Sequence, residues 1–124
     1  MPKDLIFLSA TFKGKEKNSE EINNYMNELN VIKNMAQPTK IKTSGSTFKN
    51  PIDQTDKKVW ELIRLSVPTE TNYGDAVISE KHANFFVNKK NAKSVDMKSL
   101  INFVKKKVKD KTGVKLDLEI VLVE

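Results

Sequence analysis

Apolar positions recur along the chain in two rhythms, one helical and one extended. The first run, Leu5-Ile6-Phe7-Leu8-Ser9-Ala10-Thr11-Phe12, is short, apolar and rich in branched and aromatic residues, and Lys13-Gly14-Lys15 follows it. That composition predicts a buried strand ending in a turn. Asn18 or Ser19 then caps a helix, with Glu20 and Glu21 in the first turn, where the helix dipole favours negative charge. Ile22, Tyr25, Met26, Leu29 and Ile32 fall at helical spacing, so they form one stripe expected to face a core. Gln37-Pro38 closes the helix, because a residue before proline avoids the α region.

Residues 53–56 read as a polar turn and 57–65 as a short helix, with Val59, Trp60, Leu62 and Ile63 on its apolar side and Trp60 in a structural role. Residues 66–73 carry Pro68 and no periodicity, which predicts a loop. Ala76-Val77-Ile78 and Phe85-Phe86-Val87 are short strand candidates flanking Ser79-Glu80-Lys81-His82, and 88–93 is a polar turn. The clearest helix is 96–111: Met97, Leu100, Ile101, Val104 and Val108 line one face and Gly113 stands at the C-cap.

The final segment alternates. Val114, Leu116, Leu118, Ile120 and Leu122 share one face of an expected strand, so Glu119 projects from the other. A solvent carboxylate on an edge strand and a carboxyl looking into a cleft both satisfy that pattern. Strands and helices do not alternate as βαβ units, so the expectation is an α+β domain with a small sheet packed with helices.

Composition narrows the function classes. The 124 residues suffice for one core, and no apolar run approaches the roughly 20 residues needed to cross a bilayer. The first residues do not read as a signal peptide, so a cytoplasmic protein without membrane contact is expected. With no cysteine and one histidine, thiolate chemistry and a multi-histidine metal site are excluded. A net charge of +6, from 22 Lys+Arg against 16 Asp+Glu, suits an anionic partner. The cations are nearly all lysine, which argues against sequence-specific nucleic-acid reading. The lysines crowding the end of the last helix are accounted for by a solvated face where cations favour the dipole.

One octapeptide gathers chemistry: Ser44-Gly45-Ser46-Thr47-Phe48-Lys49-Asn50-Pro51. Gly45 permits a tight or left-handed backbone and close approach of a ligand. Ser46 offers a hydroxyl, Lys49 a point charge suited to phosphate, and Asn50 two donors and an acceptor. By composition this is an anion-binding or catalytic turn, a composition that many surface turns share.

Several segments in order resemble one family. Gln37-Pro38, Gly45-Ser46-Thr47-Phe48-Lys49-Asn50-Pro51, Gly74-Asp75-Ala76, Ser79-Glu80-Lys81-His82-Ala83-Asn84-Phe85, Val87-Asn88, Gly113-Val114-Lys115-Leu116 and Glu119 are similar to the UDP-N-acetylenolpyruvoylglucosamine reductases (UDP-N-acetylmuramate dehydrogenase, MurB) of peptidoglycan synthesis. The family enzymes are longer flavoproteins with an FAD-binding part and a C-terminal α+β substrate domain, in which NADPH reduces FAD and the flavin passes hydride to an enolpyruvyl UDP-sugar. The resemblance implies that residues 1–15 are a remnant of the last strand of the FAD part and 16–124 the substrate domain. It implies Ser46 as the general acid and Glu119 as the group that steadies the enolate carboxylate. Asn50, Lys49 and Gly45 would hold substrate. For His82 a structural hydrogen bond is expected.

The departures bear on activity. The family's Gly-rich flavin-phosphate segment and its substrate-carboxylate arginine have no counterpart in the chain, and Ser66-Val67-Pro68-Thr69-Glu70-Thr71-Asn72 replaces a segment with two glycines. The expectation is a fragment, or a split or degenerate gene product, that binds no FAD or NADPH alone, is inactive alone, and has UDP-N-acetylglucosamine enolpyruvate and a separately encoded FAD-binding domain as partners. The alternative is a non-catalytic basic module for UDP-sugar or nucleic acid.

Overall fold

The computed structural model describes residues 6–37 and 41–123. Along the chain these contain α1 (Ser19–Ala36), β1 (Lys42–Ser46), α2 (Val59–Ser66), β2 (Asn72–Tyr73), β3 (Ala76–Ile78), β4 (Phe85–Asn88) and α3 (Ser94–Thr112). They divide between two compact units, one ending at Val31 and the other beginning at Ile32.

In the first unit, Asn18 rather than Ser19 is the cap: its Oδ1 accepts the amide of Glu20 at 2.8 Å. Two expectations fail here. Residues 6–12 form no strand, and Ile6, Phe7, Leu8 and Phe12 are exposed; Leu5 lies outside the described residues. An apolar run becomes a strand only when a neighbour takes its backbone hydrogen bonds. The stripe of Ile22, Tyr25, Met26 and Leu29, with Ile32 at the start of the second unit, is likewise exposed, and α1 has no buried residue. Periodicity records which face of a helix is apolar, not whether a surface exists to cover it. Pro38, the expected helix stop, lies outside the described residues, but α1 does end at Ala36.

The second unit is built on an antiparallel sheet in the order β1-β4-β3-β2. Ala76, Ile78 and Phe86 lie on its core face, joined by Val59, Leu62 and Ile63 of α2 and by Leu100, Ile101, Val104 and Val108 of α3. Each of these side chains larger than alanine contributes on the order of 1.5–3 kcal/mol when removed from water. Phe48 packs edge-on against Phe86, ring centroids 5.8 Å apart. Trp60, expected on the apolar side, is exposed where Val59, Leu62 and Ile63 are buried, with the Arg64 guanidinium 5.4 Å from its ring. Gly113 closes α3 in the left-handed conformation (φ 76°), its amide donating to the Lys109 carbonyl.

The last segment departs from expectation in an instructive way. Val114 and Leu116 are buried and Lys115 and Asp117 exposed, as period two requires, yet no ladder forms. A single antiparallel bridge joins Phe48 to Leu118. Farther back a side chain substitutes for the missing strand: the Gln54 carboxamide accepts from the Lys115 amide and donates to the Lys115 carbonyl, both at 2.9 Å. Asn88 similarly closes the turn after β4 by bonding both backbone groups of Ala92.

One irregularity places the candidate chemistry. Thr43 pairs with Val87, but Ser46 pairs with Phe85, one residue more on β1 than on β4. This is a β-bulge, and Gly45 within it has φ 84°. Cross-strand partners share a face, so Ser46 stands with Phe85 and Val87, away from Phe86 and the core.

Candidate functional site

Ser46 ends β1 half-buried beyond the bulge, and the chain then passes between two neighbours. On one side, the Thr47 amide donates to the Asn84 carbonyl at 2.8 Å, and the Asn84 carboxamide accepts from the Phe48 amide at 3.0 Å and donates to the Phe48 carbonyl at 2.9 Å. On the other, the Lys49 amide donates to the Asp117 carbonyl and the Glu119 amide to the Thr47 carbonyl, each at 2.9 Å. Glu119, expected from the alternation to lie off the core face, is exposed beside the half-buried Leu118 and Ile120. Thus Ser46 and Glu119, far apart in sequence, lie at neighbouring backbone positions: Glu119 is bonded to the residue after Ser46.

Lys49 and Asn50 follow, both exposed. The Asn50 Oδ1 accepts the amide of Val59 at 3.0 Å, so this side chain supplies a helix-start acceptor for α2. Its NH₂ group points from the same fixed carboxamide and remains a donor for a ligand. A serine hydroxyl, a lysine ammonium, an amide donor and a carboxylate on one stretch and its paired segment can bind an anion and exchange a proton with it.

His82 is a structural group. Its Nδ1 accepts the Asn84 amide at 3.3 Å, its carbonyl accepts the Phe85 amide, and its ring stands edge-on to Phe85 at 4.9 Å. Burial holds its pKa below the ordinary 6.5; a backbone hydrogen bond opposes this in part and the Arg64 charge adds to it. With Nδ1 accepting, the neutral ring carries its proton on Nε2.

A cavity of about 780 Å³ opens on the sheet face shared by Val77 and Val87, rimmed by Glu70, Asp75, Glu80 and Lys81. Ser46 and Glu119 lie outside its lining. Among the described residues no group of three or more His, Cys, Asp or Glu could hold a metal ion, and no helix is long and apolar enough to cross a membrane.

The family model for the UDP-N-acetylenolpyruvoylglucosamine reductase C-terminal domain matches residues 37–123. The chain belongs to that family. It is 64% identical over 120 residues to a UDP-N-acetylenolpyruvoylglucosamine reductase of Pelagibacter ubique and 45% identical over 120 residues to one of Rickettsia bellii. These alignments take in 97% of the chain but only 40% and 39% of the relatives, so the chain spans about two-fifths of their length. The crystal structure of the reductase (MurB) from Thermus caldophilus superposes with a TM-score of 0.65 at 33% identity, over 85% of this chain and 35% of that one. The α+β fold expected from the sequence is the fold found.

Within this MurB-type domain, sequence reasoning singled out Gly45, Ser46, Lys49, Asn50 and Glu119, and the structure places them on one continuous stretch and its paired segment. It assigned no role to Asn84. The available signal was an amide residue between a polar turn and the apolar Phe85-Phe86-Val87, a position where a buried side chain must find partners.

Proposed function

We propose that the chain is the substrate-binding and proton-donating part of a UDP-N-acetylenolpyruvoylglucosamine reductase, acting in the cytoplasm in peptidoglycan precursor synthesis. The observation that carries this reading is the Thr47–Glu119 backbone pairing, which ties the segment holding Ser46 to the one holding Glu119.

The chain's own residues do not fit a flavin site. A phosphate-binding helix start offers free amides and a glycine-rich approach. Here the Lys58 amide donates to Glu61 Oε2, the Val59 amide to Asn50 Oδ1 and the Lys93 amide to Asp96 Oδ2, so these amides at the starts of α2 and α3 are already taken by the chain's own side chains. In this reading FAD and NADPH chemistry belongs to the remaining part of the reductase, and the chain's share is binding and proton transfer. A serine hydroxyl is a weak acid, so Ser46 can protonate only a strongly basic carbon such as a carbanion or enolate. Glu119 would steady the charge developing on the substrate carboxylate, which requires its own carboxyl to be protonated or supported when the two approach. Lys49 and Asn50 would bind the diphosphate, and Gly45 leaves room for it.

The lysines of α3 do not favour a separate nucleic-acid role, since Lys111 donates to the Leu65 carbonyl and Lys107 lies over the Phe103 ring. Calorimetric titration with UDP-N-acetylglucosamine enolpyruvate tests the reading. Saturable binding, weakened by Lys49→Ala and stronger than binding of mixed duplex DNA at moderate salt, is expected. No binding of the UDP-sugar overturns it.

A further inference from the structure

Asn84 is 3% exposed and bonds three backbone groups of Thr47 and Phe48 through its own carbonyl and carboxamide. A carboxamide has the donor and acceptor of a peptide group, side by side. Facing Phe48, it makes the two bonds that one more residue of a neighbouring strand would make, and so extends the β1–β4 pairing beyond Ser46. The opposite edge of the same short stretch carries the bonds to Asp117 and Glu119. Resting on the functional reading above, we infer that Asn84 is the positioning residue of the site: its side chain holds the Thr47-Phe48 backbone in the one orientation that places Ser46 and Glu119 in register. It touches neither substrate nor reacting atoms, and acts through Thr47 and Phe48.

The carboxamide geometry gives this role a signature that simple destabilisation lacks. In Asn84→Asp a protonated carboxyl can still accept from the Phe48 amide and donate to the Phe48 carbonyl, whereas the ionised form sets a carboxylate against that carbonyl. The experiment measures amide hydrogen-exchange protection factors by NMR on the full chain as a function of pH. The wild type serves as reference for the neighbouring His82 and Glu119, and Leu100→Ala as a core variant of comparable instability. In N84A the Lys49 and Glu119 amides should lose about tenfold or more of their protection relative to α3, at every pH. In N84D that protection should be lost at neutral pH and regained in acid. In L100A, protection should fall throughout without singling out these two amides.

Unchanged protection of Lys49 and Glu119 in N84A, or no recovery of N84D in acid, overturns the inference. If N84A does not fold, N84D across pH decides alone. The same samples titrated with UDP-N-acetylglucosamine enolpyruvate should show weaker binding by N84A than by L100A. A wild type that does not bind would sink the functional reading, while the exchange result would still judge the role of Asn84 in holding the two segments.

Discussion

The main-chain amide of Glu119 donates to the carbonyl of Thr47 at 2.9 Å, next to the hydroxyl-bearing Ser46. Neither partner is in a regular strand: Thr47 follows the end of β1 and Glu119 lies in a bend beyond the Phe48–Leu118 bridge. The alignment of the two candidate catalytic groups therefore depends on a few individual hydrogen bonds rather than on a long ladder. Changes to those bonds, or to the backbone that presents them, should alter the site before they unfold the protein.

Gly45 is the first such position. Its φ of 84° lies in the left-handed region, and a Cβ there would meet no atom within 4 Å. The cost of Gly45→Ala is thus backbone strain alone, about 1–2 kcal/mol, and Gly45→Asn should cost less because asparagine tolerates that conformation. Urea denaturation of the three proteins checks the order; an alanine variant as stable as wild type would contradict it.

Asn50 accepts the Val59 amide at the start of α2 and, in the proposed reading, also donates to the diphosphate. Asn50→Ala orphans the Val59 amide and should lower stability by about 1 kcal/mol. Asn50→Asp keeps the acceptor, so stability should hold, but it removes the NH₂ donors and brings a negative charge toward the diphosphate. Denaturation paired with UDP-sugar titration separates the effects. Wild-type affinity in the aspartate variant would remove Asn50 from the binding site.

How far the site could be read in advance depended on whether its geometry was written in local pattern. Helices α2 and α3 and strands β3 and β4 were legible because their apolar spacing is local, and Gly113 marked the end of α3. The stripe of α1 was equally periodic, and its assignment to the core failed because burial needs a second surface that no helix encodes in its own residues. Glu119 was placed off the core face by alternation alone. Its hydrogen bond to Thr47 could not be read, because the contact is long-range and the segment is held by the Gln54 side chain rather than by a strand. The bulge at Gly45 was out of reach for a related reason: it shows only in the pairing with β4.

His82 sets a pH dependence with a definite sign. Its folded pKa lies below 6.5, so between the two values the unfolded chain binds more protons. This contribution to stability is fully present above about pH 6.5 and is lost as pH falls through the folded value. His82 is the chain's one histidine, so an imidazole NMR titration can be assigned without ambiguity. The urea midpoint of wild type should drop in mild acid, and His82→Gln should flatten that drop. An imidazole titrating at or above 6.5 would rule the mechanism out.

Thr47 offers a stabilising change. Its Oγ1 is buried without a hydrogen-bond partner among the described residues, although its backbone is fully engaged. Thr47→Val replaces an unsatisfied hydroxyl by a methyl of similar shape and should stabilise by about 1 kcal/mol. A lower thermal midpoint for the variant would show that the hydroxyl has a role the static contacts do not reveal.

The extra residue in β1 has an evolutionary and engineering consequence. Because side chains alternate between faces, the outward placement of Ser46 is a matter of parity: it depends on how many residues separate it from Thr43. At the present length regular pairing would turn the hydroxyl toward the core, and the bulge keeps it outward; deleting Ser44 would remove the bulge and leave Ser46 opposite Phe85 on the same outward face. The segment should therefore accept substitutions at the exposed Ser44 and even its loss, whereas forcing the present length into regular pairing would bury the hydroxyl.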